Sequence, residues 1–408
     1  MTVTLTDIEE ARIRLDDESA VQQTPVDTSR SLEAETGATV HLKMEHLQRT
    51  GSFKTRGAYN KLRQVAESDC EATRAVAASA GNHAQGVALA ATKTGLESTI
   101  VMPKSAPQAK IDATAGYGAN VELHGHDFRD AMAYAKSIVD DDSLFIHAYD
   151  DPQIVAGQGT VGLEILEQVP NVQTIVVPIG GGGLIGGIAA AIGERSPETR
   201  VIGVQAEGAA TVPQSLDKGQ PQSVETVQTI ADGIATGGIS RLTYELIDEY
   251  VDEVVTVSDT EISEAILFLL ERTKQMVEAA GATSVAAICS DKVDVEDETV
   301  VPVLSGGNLG LTDLQTVLTH GLTYRDQLVR LRVRITDNPG KMADTSEIIA
   351  SHGVNIHDVS HERSVKELNV GEAYLDFRIE TNGADQTNRV IDSLREEGYT
   401  VSRVRDVC

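Results

Sequence analysis

The chain has 408 residues, a length that predicts two or three domains with a sizeable buried core. Its 34 basic and 62 acidic residues give a formal net charge of −28, which disfavours binding to nucleic acid or to anionic membrane surfaces. Hydrophobic residues make up 41% of the chain, so wholesale disorder is excluded. An acid-rich surface stays hydrated in concentrated salt, and we interpret the charge as an adaptation to a salt-rich cytoplasm.

Cysteine usage and the distribution of apolar residues restrict the class of protein further. Cys70, Cys289 and Cys408 are odd in number and far apart, which excludes a disulfide framework and a cysteine-based zinc site. The histidines and carboxylates do not show the spacing of metal ligands, so we predict no metal. Residues 1–20 are acidic, and no run of apolar residues is long enough to span a membrane. We therefore expect a reduced, cytoplasmic protein without a signal peptide.

Short apolar runs alternate with helical periods from about residue 36 to residue 310. Apolar runs that lack alternation and are separated by helices indicate parallel strands buried on both faces, and hence an α/β fold. In such a fold, ligands are expected at the carboxyl ends of the strands. The predicted strands are residues 75–80, 98–103, 120–125, 174–179, 200–207 and 300–307.

The C-terminal part of the chain has a different pattern, with strands and helices in the order βαββαβ. The two central strands alternate and can form a hairpin around the polar loop 362–371, which is the arrangement of a ferredoxin-like unit. We expect a first domain at 1–325, with a small lobe at roughly 46–145, and a second domain at 326–408. The predicted elements of the second domain are residues 328–336, 342–351, 354–361, 373–380, 385–397 and 399–406.

The most informative segment is residues 174–193, where a strand runs into the four glycines 180–183 and then into a helix of small residues. Glycines let successive backbone N–H groups converge, and the helix N-terminus adds a partial positive charge, so this loop predicts a phosphate cradle. No Lys-Ser/Thr pair follows, so the loop is not a P-loop. Gly186 completes a G-x-G-x-x-G pattern and Glu207 ends the next strand, which leaves an NAD(P)-dependent oxidoreductase open as an alternative.

Three other segments carry polar groups but are weak signals when each is taken alone. Lys54 lies among small and aromatic residues in 47–60, although most lysines are solvated surface residues. Residues 77–91 form a strand, a polar loop and a helix, which is also how an ordinary capped helix begins. Residues 304–310 are a strand end followed by a glycine-rich turn.

Taken together and in this order, the four segments resemble the threonine/serine dehydratases, which are pyridoxal-phosphate enzymes with the tryptophan-synthase-β type of fold. The resemblance covers roughly residues 15–320, and the C-terminal segment, with Asp-Asn-Pro-Gly at 337–340, resembles an ACT regulatory domain. Four motifs in one order are specific, whereas any single motif would be weak. The motifs are S-F-K-x-R-G-A at 52–58, S-x-G-N-H-x-Q-G at 79–86, the glycine loop with leucine at 180–184, and S-G-G-N at 305–308.

The resemblance implies pyridoxal 5′-phosphate as cofactor and assigns roles by position. Lys54 and Ser305 would be the catalytic residues: Lys54 would hold the cofactor covalently and act as base, and Ser305 would face its ring nitrogen. Phe53 would pack on the cofactor and Asn82 would bond its phenolic oxygen. The phosphate would be held by Gly180, Gly181, Gly182, Gly183 and Leu184, and the substrate carboxylate by Ser79, Gly81 and His83.

The implied activity is β-elimination of L-threonine to 2-oxobutanoate and ammonia, as a first step of isoleucine biosynthesis with amino-acid feedback. L-serine and 3-hydroxyaspartate stay open as substrates, because one methyl group is worth only about 1–3 kcal/mol in a pocket. Serine racemases are similar too, but they carry a second serine where Ala80 stands. They also have a cation site beyond the strand that matches 201–207, and one of its carboxylate ligands falls where this sequence has Pro213. Of the ligands of that site, this sequence would keep only Glu207.

The ACT resemblance also implies an effector site and a homodimer or homotetramer. In such domains an amino acid binds at the subunit interface, beside the turn after the first strand. Gly340 would offer a backbone N–H to the effector carboxylate, Asn338 would reach its ammonium, and Asn355 would face it. We expect one sheet face and one strand edge of this small unit to need a partner, which pairing of two copies would supply.

Overall fold

The structure is a computed structural model that describes residues 2–68 and 70–404. It divides into two compact units, residues 1–310 and 311–408. The end of the predicted strand 399–406 and Cys408 lie outside the described residues. Among the residues described, no helix combines the length and the apolar character needed to cross a membrane.

The first unit has two largely parallel sheets with helices packed around them. Over the described residues, the larger sheet has six strands in the order β1-β2-β10-β7-β8-β9, and the smaller has four in the order β5-β4-β3-β6. Neighbouring strands pair in parallel, except β1 with β2. The strands are β1 (Val26–Thr28), β2 (Thr39–Lys43), β3 (Arg74–Ala78), β4 (Glu97–Met102), β5 (Asn120–Leu123), β6 (Ser143–Phe145), β7 (Thr174–Pro178), β8 (Arg200–Ala206), β9 (Glu253–Val257) and β10 (Thr299–Pro302).

The six strands predicted from the sequence of this unit are confirmed, as β3, β4, β5, β7, β8 and β10. The pattern did not reveal four strands: β1, β6 and β9 lie at sheet edges, and β2 ends in the charged Lys43. The helices are α1 (Leu5–Arg14), α2 (Arg30–Thr36), α3 (Lys54–Glu67), α4 (Asn82–Thr94), α5 (Gln108–Gly116), α6 (Phe128–Ser137), α7 (Pro152–Gln168), α8 (Gly183–Arg195), α9 (Val212–Lys218), α10 (Arg241–Tyr250), α11 (Asp259–Phe268) and α12 (Ala279–Cys289).

A buried cluster of charged side chains fixes the start of α3. Arg56 is 1% exposed and donates to Glu45 at 2.8 Å and to Glu164 at 2.6 Å. Lys43, which is fully buried, donates to Glu164 at 2.6 Å. Burial by itself would raise the pKa of Glu45, but the charge and hydrogen bonds of Arg56 overcome it and hold that pKa below its usual range. Two cations thus balance two carboxylates, and they join α3 to β2 and α7.

The second unit is a four-stranded antiparallel sheet over its described residues, in the order β12-β13-β11-β14. This is the strand order of a ferredoxin-like βαββαβ unit, as the sequence predicts. One face packs on α14 and α15 around a core that includes Leu331, Phe377 and Leu394. The elements are α13 (Leu311–Tyr324), β11 (Leu328–Thr336), α14 (Lys341–Ser351), β12 (Asn355–Glu362), β13 (Glu372–Glu380), α15 (Ala384–Glu396) and β14 (Thr400–Arg403).

The other face of this sheet is polar. Asp376 is 3% exposed and accepts two hydrogen bonds of 2.8 Å from Arg332, whose guanidinium lies 4.9 Å from the ring of Tyr374. Arg334 pairs with Glu372 on the same face. These ion pairs make the face compatible with water, and the expectation that it needs a partner stays a prediction. Among the residues that the structure describes, no strand pairs with the outer edges of β12 and β14.

Candidate active site

One cavity in the first unit collects residues from all four of the segments that the sequence analysis combined. Strands β7 and β10 are neighbours in the larger sheet and run in parallel, so the loops after them lie side by side. Helix α3 brings its first residue, Lys54, to the same place. The lining residues are Phe53, Lys54, Asn82, Tyr149, Pro178, Gly180, Gly181, Gly182, Gly183, Leu184, Gly233, Ile234, Thr236, Glu278, Ala280 and Ser305.

The glycine loop is a cradle that side chains would fill. Gly182 has φ +87° and precedes α8, a backbone conformation that favours glycine. A Cβ on Gly181 would lie 2.1 Å from the ring of Tyr149, and a Cβ on Gly182 would lie 2.8 Å from Thr243. The Thr243 hydroxyl also donates to the carbonyl oxygen of Gly181 at 2.8 Å. The loop is therefore held on two sides, with bare backbone and a helix N-terminus against the cavity, which suits a phosphate group.

Lys54 is a half-buried residue whose amine has few hydrogen-bond partners. Its Nζ atom donates to the carbonyl oxygen of Ala148 at 3.2 Å and lies 5.0 Å from the centre of the Phe53 ring. Burial lowers the pKa of Lys54 to about 8, although the negative charge of Glu278 partly opposes this. A lysine with a pKa this close to neutrality can act both as a nucleophile and as a base.

Asn82 and Glu278 are joined at the edge of the cavity. Asn82 Nδ2 donates to Glu278 Oε1 at 2.7 Å, and Asn308 Nδ2 donates to Asn82 Oδ1 at 2.8 Å. Burial raises the pKa of Glu278 to about 7. Ser305, after β10, is 3% exposed, and its carbonyl oxygen accepts a hydrogen bond of 3.3 Å from the N–H of Phe53. The motif around Lys54 and the loop of Ser305 are thus joined through the backbone.

The three residues that the sequence assigned to the substrate carboxylate lie on the loop before α4 and on its first turn, and they do not line this cavity. The Ser79 hydroxyl accepts from the N–H of Gly81 at 3.1 Å. A Cβ on Gly81 would meet nothing within 4 Å, so its backbone faces open space. The ring of His83 is buried and bonds to the carbonyl oxygen of Ile146 at 3.0 Å. Burial, with the charge of Lys54, lowers the pKa of His83 to about 3, so the ring is neutral.

Sequence reasoning missed three residues of the site: Tyr149, Thr243 and Glu278. Glu278 gave a weak signal, as a carboxylate at the head of the small apolar helix α12. Tyr149 and Thr243 gave none, because their roles depend on contacts with a loop far away in sequence. Within the described part of the chain, no group of three or more His, Cys, Asp or Glu side chains is placed to hold a metal ion.

The cavity fits pyridoxal phosphate. Lys54 would supply an amine for its aldehyde, the glycine loop would supply backbone N–H groups for its phosphate, and Phe53 would supply a ring to pack against its pyridine. Asn82 and Ser305 would supply polar groups for its phenolic oxygen and its ring nitrogen. By contrast, Glu207 is exposed in a short 3₁₀ helix after β8, which gives the dinucleotide alternative no comparable support.

Comparisons with known proteins indicate the same cofactor as the lining of the cavity does. The family model described as "Pyridoxal-phosphate dependent enzyme" matches residues 18–306, more than two thirds of the chain. L-threonine ammonia-lyase of Thermotoga maritima is 44% identical over 400 residues, which cover 98% of this chain and 99% of that protein. Catabolic L-threonine dehydratase TdcB of Escherichia coli is 42% identical over 320 residues, 78% of this chain and 96% of that protein.

Solved structures place the fold in the same group. The processed form of threonine deaminase isoform 2 from Solanum lycopersicum has a TM-score of 0.73 at 33% identity, covering 78% of this chain and 90% of that one. Maize serine racemase has a TM-score of 0.73 at 34% identity, covering 80% of this chain and 100% of that one. The chain therefore belongs to the family of pyridoxal-phosphate-dependent enzymes, with a first unit of the tryptophan-synthase-β type.

Proposed function

We propose that this protein is a threonine ammonia-lyase, which converts L-threonine to 2-oxobutanoate and ammonia. The observation that carries the proposal is the placement of the Lys54 amine and the glycine cradle 180–183 in one cavity. Relatives at 42–44% identity over most of the chain carry the names L-threonine ammonia-lyase or dehydratase, which supports the choice of substrate. The first unit supplies this chemistry.

The lining of the cavity supports the following cofactor-binding roles. The backbone of Gly180–Gly183 and of Leu184 holds the phosphate, and Phe53 packs against the ring. Asn82 donates to the phenolic oxygen. Ser305 meets the ring nitrogen with a hydroxyl, which does not protonate that nitrogen as a carboxylic acid would, and this favours elimination over transamination.

The reaction requires the substrate to lose a proton from Cα and hydroxide from Cβ. When bound, pyridoxal phosphate supplies a conjugated ring that takes up the negative charge developing at Cα. Lys54 takes the Cα proton, and its pKa of about 8 suits that role near neutral pH. The loop of Ser79, Gly81 and His83 receives the substrate carboxylate. Because the neutral His83 ring donates its one N–H to the Ile146 carbonyl oxygen, His83 supports this loop and does not itself donate to the carboxylate. The released enamine tautomerises and is hydrolysed to 2-oxobutanoate and ammonia.

The test of this function is steady-state kinetics with L-threonine, L-serine and 3-hydroxyaspartate, together with an assay for racemisation. We expect kcat/KM to be highest for L-threonine, with a preference over L-serine of at most about 200-fold, because the two differ by one methyl group. We expect no D-serine from L-serine, because Ala80 has no proton to transfer on the face opposite Lys54. Racemisation faster than ammonia release, or a higher kcat/KM for another of the three substrates, would contradict the proposal.

We also propose that the second unit is an ACT-type regulatory domain that binds an amino acid. Its βαββαβ order supports this, as does the relative named L-threonine ammonia-lyase that matches 98% of this chain. Asn338, Gly340 and Asn355 are exposed beside the turn between β11 and α14 and at the start of β12. A Cβ on Gly340 would meet nothing within 4 Å, so an effector carboxylate can approach its backbone.

The regulatory proposal predicts a response to isoleucine or valine that depends on this turn. In the full-length enzyme either amino acid should change KM or kcat about 5–150-fold, the range of ordinary allosteric coupling. Asn338→Ala and a chain ending near residue 325 should lose the response while keeping basal turnover. Asn369→Ala, on the exposed hairpin loop of the same unit, is the matched control. A full-length enzyme that responds to neither amino acid would contradict the regulatory proposal.

We propose further that the protein forms a homodimer or homotetramer through its second unit. The open strand edges of β12 and β14 offer unpaired backbone groups that another copy can pair with, whereas the Arg332–Asp376 face is already satisfied. Sedimentation experiments that compare the full chain with a chain ending near residue 325 measure how much the second unit contributes to oligomerisation. Identical oligomeric states would contradict an interface on the second unit.

The net charge of −28 supports a protein adapted to a salt-rich cytoplasm, and it makes a prediction about stability. The Debye length grows from about 3 Å in 1 M salt to about 30 Å in 0.01 M salt, so carboxylate repulsion extends over the surface as salt is removed. We expect the melting temperature to fall by about 5 °C or more between these conditions. Equal melting temperatures in the two buffers would contradict the adaptation.

A further inference from the structure

Asn82 lies in the middle of a chain of hydrogen bonds that runs from a backbone carbonyl to a carboxylate. Asn308 Nδ2 donates to the carbonyl oxygen of Thr50 at 2.6 Å and to Asn82 Oδ1 at 2.8 Å. Asn82 Nδ2 then donates to Glu278 Oε1 at 2.7 Å. We name Asn308, Asn82 and Glu278 the amide relay.

The direction of the amide relay is fixed from its Thr50 end. The carbonyl oxygen of Thr50 can only accept a hydrogen bond, so the amino group of Asn308 must face it. The same amino group donates to Asn82 Oδ1, so the amino group of Asn82 faces Glu278, whose ionised form accepts. If the amide of Asn82 were flipped, two donors would oppose each other at one end and two acceptors at the other. The relay therefore uses the oxygen and one N–H of Asn82, and it leaves the second N–H as the group that Asn82 can present to the cavity.

We propose that Glu278 is a positioning residue, which acts through Asn82 by holding that amide with an N–H toward the cofactor. The proposal rests on the proposed function, because it takes Asn82 as the donor to the phenolic oxygen of pyridoxal phosphate. It adds a residue that no motif of the sequence marks. In this role Glu278 does not exchange a proton with the substrate.

The surroundings of Glu278 show that its carboxylate occupies a fixed slot. Its backbone N–H donates to the carbonyl oxygen of Gly306 at 3.0 Å. A Cβ on Gly306 would lie 2.2 Å from Glu278 Oε1, and a Cβ on Gly233 would lie 3.3 Å from the same atom. Both neighbouring positions are glycine, so the carboxylate reaches Asn82 without a clash. The slot is set by backbone on two sides.

Keeping a carboxylate in this slot has a cost, which also points to a function. Burial raises the pKa of Glu278 to about 7, so the ionised form is disfavoured there compared with a carboxylate in water. A glutamine would avoid that cost and could still accept from Asn82, but its amide has a donor end as well, whereas an ionised carboxylate presents only acceptors to Asn82. Perturbed carboxyl groups retained in a cavity are typical of functional sites.

The experiment measures cofactor binding by the full-length protein, so it does not depend on which amino acid is the substrate. Cofactor is removed, and the protein is titrated with pyridoxal phosphate while its visible absorption spectrum and Kd are recorded. The set comprises wild type, Glu278→Ala, Glu278→Gln, Asn82→Ala and the double variant Glu278→Ala/Asn82→Ala. Glu225→Ala is the matched control, because it removes the same charge from an exposed position of the same unit.

Both Asn82→Ala and Glu278→Ala should weaken pyridoxal phosphate binding about tenfold and shift the absorption maximum, since each loses one oriented hydrogen bond to a charged oxygen. The double variant should bind no more weakly than Asn82→Ala, apart from the loss of the Glu278 charge near Lys54, which Glu278→Gln also removes and therefore measures separately. Glu278→Gln keeps an oxygen that accepts from Asn82, so its Kd should stay within about twofold of wild type. Asn308→Asp, which puts an acceptor against the Thr50 carbonyl, should behave like Asn82→Ala and provides a second route if Glu278→Ala does not fold.

Additive losses in the double variant would overturn the proposal, because Glu278 would then act on the cofactor independently of Asn82. A Glu278→Gln variant as weak as Glu278→Ala would overturn it as well, since the charge and not the orientation would matter. If wild type fails to dehydrate L-threonine while the binding pattern holds, the proposed substrate is wrong and the amide relay stands.

Discussion

Replacing Lys54 by alanine is expected to lower kcat for L-threonine dehydration by about 10⁴-fold or more, because the change removes the attachment point of the cofactor and the base for Cα together. Lys54 is the amine that the structure brings into the cavity beside the glycine cradle. Its pKa of about 8 gives it a substantial unprotonated fraction near neutral pH, which an alkyl side chain cannot replace. Release of 2-oxobutanoate, followed continuously, measures the loss.

Two variants control this experiment. Lys54→Arg keeps a positive charge but has a pKa too high to take a proton, so it should be as inactive as Lys54→Ala. Lys93→Ala removes an exposed lysine from α4 and should keep wild-type turnover. The glycine cradle should still bind pyridoxal phosphate in both Lys54 variants. Turnover by Lys54→Ala above about a hundredth of the wild-type rate would show that another group is the base.

Replacing Arg56 by methionine is expected to reduce the free energy of unfolding by about 3–5 kcal/mol, because it leaves buried carboxylates without their partner. Glu45 is fully buried and Glu164 is 8% exposed, and both accept hydrogen bonds from the Arg56 guanidinium. Lys43 can balance only one of the two charges. Denaturant unfolding in high salt measures the difference, with Arg12→Met as the control.

The control, Arg12→Met, makes the same change of side chain at the protein surface. Arg12 pairs with Glu167 at the surface, and its side chain is 45% exposed, so its loss should cost at most about 1 kcal/mol. The effect of Arg56→Met should also depend on pH. Arg56 lowers the folded-state pKa of Glu45, so its stabilising contribution is present above the ordinary carboxyl pKa and is lost as the pH falls. The difference between wild type and Arg56→Met should therefore shrink below about pH 4.

If Arg56→Met and Arg12→Met cost the same, the buried cluster contributes no more than a surface pair. The result also bears on the site, because Arg56 lies two residues after Lys54 on the first turn of α3. A stable Arg56→Met variant with normal turnover would show that the cluster is not required to place Lys54. If the variant is destabilised and its folded fraction also turns over slowly, the cluster is required to place Lys54.

The sequence by itself determined the elements whose signal is local. The parallel strands β7 and β10, the cradle 180–183 and the βαββαβ order of the second unit each follow from apolar periodicity and glycine placement over a few residues. Such patterns can be recognised in the sequence because burial and backbone geometry constrain residues that are close together along the chain. The four motifs in one order then indicated the family, and the family comparison confirms it.

Only the tertiary structure decided which distant polar groups meet. Asn82 and Glu278 are 196 residues apart and share a hydrogen bond, and Thr243 holds the carbonyl oxygen of Gly181 from another helix. Strand β2 has no uninterrupted apolar run, because polar residues alternate with Val40 and Leu42 along it. That Lys43 is buried becomes clear only from its partner Glu164, which is distant in sequence. Periodicity reports which side of an element is buried, but it carries no information about which element covers that side. The pairing of polar groups across elements is set by packing, and packing appears only when the whole chain is folded.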